Sequence, residues 1–385
     1  MKRVGIICEY NPFHNGHIYH LEKVKELFPD SIVILVMSVN FTERCIPSII
    51  NKWDKTEIAL NYGIDLVIEL PFMFATQSAD IFAKGAISIL KELKAEYLVF
   101  GSESNDVNNL IELANISLYN QDYQTKIKEY LNDGDNYPTA LSKAFKDFNL
   151  DTVSTPNDLL GLCYIKEILK QDASIKPVTI KRTNDYHEEN INNSISSATS
   201  IRKACKNKDN IYNTVPKEVA DLLKESIFFQ ENYFPFLKYK IQTTNDLSIF
   251  QTVDEGIENR IKKYINEVNS WDSLVEKLKT KRYTYNKINR MLIHILCNFT
   301  KEEAKNNQNI EYIRVLGFSN KGKDYLNKLK KELNLPIVTT FSKNNSKMLE
   351  FEMKTTCVYS SILDEEKKND LIKSEYKNKP KMREN

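Results

Sequence analysis

The chain has 385 residues, 41% hydrophobic and 28% charged, enough for two or three domains that each bury a core. A net charge of +2 gives no global attraction for nucleic acid or membrane, so any surface that binds a polyanion has to be local. The six cysteines stand at 8, 45, 163, 205, 297 and 357 with no CxxC pair, which excludes a zinc ribbon or a thioredoxin-like site. Together with an opening apolar run (Val4 to Cys8) far below signal-peptide or membrane-span length, they predict a cytoplasmic protein with reduced thiols.

Four apolar runs punctuate the first half: "VGIIC" (4–8), "SIVILVM" (31–37), "DLVIEL" (65–70) and "EYLVFG" (96–101). They are continuous rather than alternating, as parallel strands covered on both faces should be. Helical spacing separates them, over 16–27, over 53–62 with Gly63 as a C-terminal stop, and over 78–93. A helical stretch over roughly 106–170 then leads to a fifth strand, "PVTIK" (177–181). The alternation predicts an α/β fold: a Rossmann-like domain with a parallel sheet over residues 1–205. From 206 to 385 helical patterns dominate, with a small strand–helix–strand unit over 311–341. A mobile, basic tail is expected from about residue 366.

"EYNPFHNGHIYHL" (9–21) holds three of the five histidines, His14, His17 and His20. Three readings compete: a metal site, core imidazoles, and a phosphate-holding device. A catalytic zinc motif would normally add a carboxylate, as in HExxH, which is absent here. Isolated core histidines explain poorly why His14 and His17 flank Asn15-Gly16 where a strand gives way to a helix. In open α/β sheets ligands bind beyond the carboxyl ends of the strands, and a helix N-terminus attracts anions. Two imidazoles one turn apart could then donate to phosphate oxygens as charge develops. "ISSATSIRK" (195–203) offers a second anion-binding element, with Ser197 and Thr199 at a helix start and Arg202 beyond; an ordinary serine N-cap explains the same residues.

H-x-G-H after a first strand resembles the signature of the HIGH-type nucleotidyltransferase superfamily. The resemblance narrows to the tRNA(Met) cytidine acetate ligase family through segments running in order along nearly the whole chain. These are "GIICEYNPFHNGHIYHL" (5–21), "VMSVNFTERCIPSIINKWDKTEIAL" (36–60), "GIDLVIELPFMFATQSADIFAKGAI" (63–87), "LVFGSE" (98–103), "PNDLLGLCYIKEI" (156–168), "IKRTNDYH" (180–187), "SISSATSIR" (194–202) and "KRYTYNKINRMLIHIL" (281–296). It implies an enzyme that forms acetyl-adenylate from acetate and ATP, then acetylates N4 of the wobble cytidine of elongator tRNA(Met), releasing AMP and pyrophosphate. The nucleotide site it implies is Ile7, Cys8, Glu9, Tyr10, Asn11, Pro12, Phe13, His14, Asn15, Gly16, His17, Ile18, Tyr19 and His20, with Gly101, Asn157 and Arg182; Ser197 and Thr199 join from the second element. His14, His17 and Arg202 are the expected catalytic groups. Magnesium is expected only with the ATP phosphates, since no carboxylate cluster announces a protein-held metal.

One loop departs from the family, whose members read close to "MSGNFxQRGxPA". Here residues 37–48 are "MSVNFTERCIPS", with Val39 and Cys45 in place of glycines and Glu43 in place of glutamine. If those glycines serve positive φ, Val39 in particular should reshape the loop; Asn40 and Arg44 remain as candidates for acetate or tRNA contact. For RNA, Lys281, Arg282, Tyr283, Lys287 and Arg290 combine cations with an aromatic ring. A solvated helix face with core tyrosines is the plainer account of that stretch. A second candidate surface is Lys321, Lys323, Lys328, Lys330 and Lys331. Two rival functions are a small-molecule adenylyltransferase and an ATP-binding, RNA-binding protein without ligase activity.

Overall fold

The computed structural model describes residues 1–135, 137–148, 150, 153–182, 195–341 and 346–383. Residues 183–187 of "IKRTNDYH" and Ser194 of "SISSATSIR" lie outside the described residues. The apolar runs form strands β1 (Arg3–Cys8), β2 (Ile32–Ser38), β3 (Leu66–Leu70) and β4 (Tyr97–Ser102), and the fifth forms β5 (Lys176–Lys181). Every residue of β2 and β3 is buried, which is why those runs carry no polar alternation. The five strands are parallel in the order β5-β4-β1-β2-β3. The chain reverses its direction of travel across the sheet between β1 and β4, and that switch point leaves a crevice at their carboxyl ends.

Helices cover both faces. Those that build the site are α1 (Asn15–Leu27), α2 (Lys52–Asn61), α3 (Ala79–Glu92), α4 (Tyr137–Asp147), α5 (Pro156–Lys170) and α6 (Ala198–Asn207). Gly63, at φ 99, turns the chain out of α2 as its position suggested. Further along come α7 (Tyr285–Leu296), then strands β6 (Ile313–Ser319) and β7 (Ile337–Val338), and helices α8 (Lys347–Ser360) and α9 (Glu365–Lys377).

Two expectations for the second half are corrected. The sheet does not end with the first 205 residues: β6 pairs antiparallel with β3, and β7 and a last strand, β8 (Lys381–Arg383), pair with β6. Nor is the chain beyond 366 a mobile tail. It is helix α9 followed by β8, and its anchor is electrostatic rather than apolar. Glu375 is fully buried, its Oε1 2.6 Å from Lys52 Nζ and its Oε2 3.3 Å from Arg314 Nη2. Lys52 Nζ also lies 3.2 Å from Glu69 Oε2. Glu352, buried beside them, accepts from the Phe72 N–H; burial and then the Glu69 charge push its carboxyl well above the usual range, so it is held neutral. Two cations, Lys52 and Arg314, therefore face two carboxylates, Glu69 and Glu375, and the charges of the cluster balance.

Candidate active site

β1 ends at Cys8, and the chain turns through Tyr10 to Phe13 before α1 begins. His14 is the N-cap of α1: its Nδ1 accepts from Gly16 N–H at 3.1 Å, and His17 Nδ1 accepts from His14 N–H at 3.2 Å. This is a capping box made of two imidazoles. Because each Nδ1 is an acceptor, each neutral ring carries its proton on Nε2. Burial, then the Arg182 and Arg202 charges, pulls His14 down to about 3; burial, then Arg182, pulls His20 to about 4. Burial, then the neighbouring imidazoles and Arg182, takes His17 well below its ordinary value. The rings of His14 and His17 lie 3.9 Å apart, so the strand end presents two neutral N–H donors side by side. A Cβ on residue 16 would sit 2.9 Å from His14 Cε1; Gly16 makes room for that capping ring.

The second element closes on the first. Ser197 caps α6, accepting from Ser200 N–H at 3.1 Å, so the plainer account of that serine holds. Arg202 donates to the Asn11 carbonyl at 2.6 Å and to Thr199 Oγ1 at 3.1 Å, fastening α6 to the loop after β1. Burial, then Arg44, lowers the Arg202 guanidinium to about 10. On the β4 side the organiser is Glu103. It accepts from Asn157 Nδ2 and from Asp158 N–H, and it lies 3.7 Å from Arg182 Nε. Asn157 is thus held by a carboxylate, and the cap of α5 is Thr155. A Cβ on Gly101 would come 3.3 Å from Arg182 Cγ, so that glycine lets the arginine lie across the strand end.

Most of these groups, though not Glu103 or Asp158, line one cleft of about 1120 Å³, more than a nucleotide needs. From the list expected for the nucleotide, Ile7, Cys8, Glu9, Tyr10, Asn11, His14, Gly16, His17, Tyr19, His20, Gly101, Asn157, Arg182, Ser197 and Thr199 reach it, as does Arg202. Pro12, Phe13, Asn15 and Ile18 do not. Phe13 is buried against Tyr10 and Tyr62, and Asn15 Nδ2 donates to the Asn213 carbonyl. Arg282, Lys287 and Arg290 line the facing wall, whereas Lys281 stands 85% exposed outside it. Tyr283 is corrected as a stacking ring: it is buried, with its hydroxyl on the Asp254 carbonyl and Lys287 Nζ 4.4 Å over its face. The Lys321 group does not line the cleft, and Lys321 itself is bonded to the Ser31 carbonyl. Among the described residues no three His, Cys, Asp or Glu side chains are grouped to hold a metal. The structural parts that sequence reasoning missed are Glu103 as organiser and Lys55. The buried Lys55 ammonium donates among the carbonyls of Glu9, Ser38 and Val39 and to Ser48 Oγ, and burial lowers it to about 7.

The departing loop behaves differently from its expectation. Val39 is buried and is not at positive φ; Cys45 is, at φ 55, with its thiol on the Thr76 carbonyl. Glu43 lines the cleft and pairs with Arg290 at 2.9 Å, and its N–H donates to Glu9 Oε1 at 2.6 Å. Asn40 is turned away, donating to Thr355 and Thr356, so it is no ligand candidate; Arg44 does line the cleft.

A switch-point crevice with paired imidazole donors, guanidinium groups and a second helix start defines a nucleotidyltransferase-type site. The family model for HIGH Nucleotidyl Transferase matches residues 1–375. The tRNA(Met) cytidine acetate ligase of Geobacillus sp. (strain WCH70) is 40% identical over 99% of both chains, and that of Bacillus subtilis (strain 168) is 38% identical over 99% of this chain and 97% of its own. Crystal structures of Thermotoga maritima TmcAL superpose with TM-scores of 0.92 (apo) and 0.90 (bound with alpha-thio ATP), at 32% identity and 99% coverage of both chains. The chain belongs to the tRNA(Met) cytidine acetate ligase family.

Proposed function

We propose that this chain joins acetate to tRNA at the expense of ATP, acetylating N4 of the wobble cytidine of elongator tRNA(Met). The observation that carries the reading is the convergence of the His14 and His17 Nε2–H donors with Arg202 on one crevice. Support comes also from the Thermotoga protein of the same fold, whose structure holds alpha-thio ATP. In the first step an acetate oxygen bonds to the α-phosphorus and the bond to the pyrophosphate oxygen breaks. Negative charge that builds on the phosphate oxygens meets two neutral N–H donors, and Arg202 neutralises the departing pyrophosphate. In the second step N4 bonds to the acetyl carbon, AMP leaves with the electron pair of the C–O bond, and N4 loses a proton. Magnesium would enter with the ATP phosphates and would supply charge neutralisation there, since among the described residues no grouped carboxylates would hold it. Arg282, Lys287 and Arg290 on the facing wall, with Lys281 just outside the cleft, would hold the RNA backbone. No helix among the described residues is long and apolar enough to cross a membrane; a cytoplasmic place, with tRNA and ATP at hand, belongs to the same proposal.

The test is nucleoside mass spectrometry after incubation with ATP, magnesium, labelled acetate and tRNA(Met) transcript. Label is expected in N4-acetylcytidine, falling about 100- to 1,000-fold in His17→Ala, the usual cost of losing one such donor. ATP binding without any label would hand the lead to the RNA-binding reading.

A further inference from the structure

The cleft is larger than a nucleotide, and one part of its lining is not explained by phosphate chemistry. There α3, α4 and α5 bring together three polar groups that lie far apart in sequence. Asp80 is in the first turn of α3, Tyr137 opens α4, and Lys166 lies in the middle of α5. Lys166 is 6% exposed, its Nζ 2.8 Å from Asp80 Oδ1 and 3.4 Å from the Tyr137 hydroxyl. Phe82, Leu141, Leu160 and Cys163 supply apolar lining around the pair, while Tyr137 is 40% exposed at its edge. The ion pair needs a reason to be here, because burying Lys166 costs hydration that the pair only partly returns.

Charge and shape narrow the ligand. The pair is neutral overall, so it has no preference for an anion; acetate would meet Asp80 as a like charge. A flat, neutral ring that carries a hydrogen-bond donor next to an acceptor matches it group for group. Cytosine has that pattern, with the N4 amino group beside N3 and O2. The amino group can donate to Asp80, N3 or O2 can accept from Lys166, and Tyr137 offers a face for stacking. Uracil would place its O4 against the Asp80 carboxylate. The opposite wall carries cations that already rest on carboxylates, Arg282 and Lys287 on Glu255 at 2.6 and 4.0 Å and Arg290 on Glu43 at 2.9 Å, and Lys281 stands 4.0 Å from Asp135 outside the cleft; RNA phosphates would exchange with those carboxylates. That is where a backbone delivering an everted base would run.

We infer that Asp80, Lys166 and Tyr137 form the receiving pocket for the everted cytosine, with Asp80 the residue that selects cytosine over uracil. The inference rests on the proposed ligase reading and adds to it the seat of the acceptor base.

Two measurements on the full chain separate the possibilities. The first is binding of anticodon stem-loops of tRNA(Met) carrying either the wobble cytosine or a uracil in its place, to wild type, Asp80→Asn and Lys166→Gln. Wild type should prefer cytosine by about 10- to 100-fold, the worth of a hydrogen bond to a charged group, and both variants should lose most of that preference while the uracil form binds as before. Equal loss for both stem-loops would overturn the inference, since that is what a structural role produces. The second is acetate-dependent exchange of labelled pyrophosphate into ATP, with thermal melting to confirm folding. Exchange that collapses with transfer in folded variants assigns the pocket to acetate and overturns the inference. Absence of both exchange and cytosine acetylation in wild type instead sinks the ligase reading itself.

Discussion

Cys45 holds a left-handed backbone without being glycine, in a loop that lines the active cleft. An L-residue there costs about 1–2 kcal/mol, and the thiol buried on the Thr76 carbonyl offsets part of it. Comparing Cys45→Ala with Cys45→Gly isolates the strain, because both remove the thiol and only glycine relaxes the backbone. The glycine variant should be the more stable of the two by about 1 kcal/mol in urea titrations; equal stabilities would mean the loop carries no strain. The sequence pointed to this loop and to positive φ at one or both replaced glycines, but laid the weight on Val39 rather than Cys45. Two replaced glycines look alike in a string of letters, and only the backbone path distinguishes Val39, in an ordinary conformation, from Cys45. His14 and His17 were legible because a strand end followed by H-x-G-H is a local pattern. Glu103 was not, since its three partners, Asn157, Asp158 and Arg182, arrive from helix α5 and strand β5.

At the level of elements, the segment from α9 to β8 was misread for a clear reason. Its composition is polar and it has no continuous apolar stripe, which are the marks of a solvated end. What holds it is Glu375, a single buried carboxylate shared by Lys52 and Arg314. Burial of an ion pair leaves no periodic trace, whereas the strands β1 to β4 announce themselves as unbroken apolar runs. Removing one member of a buried pair strands the other charge, at a cost of about 3–5 kcal/mol. Glu375→Ala should therefore cost about that much in denaturant unfolding. Asp370→Ala, on the exposed side of α9 itself, should change little; if both variants match wild type, α9 is not anchored through this cluster.

For the whole molecule, acidification should be destabilising, and the sign can be worked out group by group. His14 and His294 are held near 3 and His20 near 4, all chiefly by burial. His294 sits between the Gln251 and Thr76 carbonyls at 2.9 and 3.0 Å. Between those values and about 6.5 the unfolded chain binds protons that the folded chain refuses, so stability rises with pH across that window. Glu352, Glu43 and Asp54, all raised chiefly by burial, act in the opposite sense, keeping protons that the unfolded chain loses, but with His17 the four lowered histidines outnumber them. Urea midpoints should fall between pH 7 and pH 5, and His294→Gln should flatten the slope by up to about 1.4 kcal/mol per pH unit. A flat midpoint over that range would contradict the burial of these rings. The crevice itself was legible from strand alternation, while the Asp80–Lys166 pair in its lining was not: the two meet only because α3 packs on α5.

The sheet that carries the crevice is also a statement about time. A ribosome makes Lys52 hundreds of residues before Glu375, and β3 long before β6, its neighbour. Until those later segments emerge, the early half has a lysine meant for burial with no carboxylate from α9 to neutralise it, and an open strand edge where β6 belongs. Both walls of the cleft, from Ile7 to Arg202 and from Thr252 to Arg290, are thus made before the far edge of the sheet that carries them is closed. A nascent chain is expected to hold every cleft residue while its sheet still has one unsealed side, and to become rigid there only when β6 and α9 arrive.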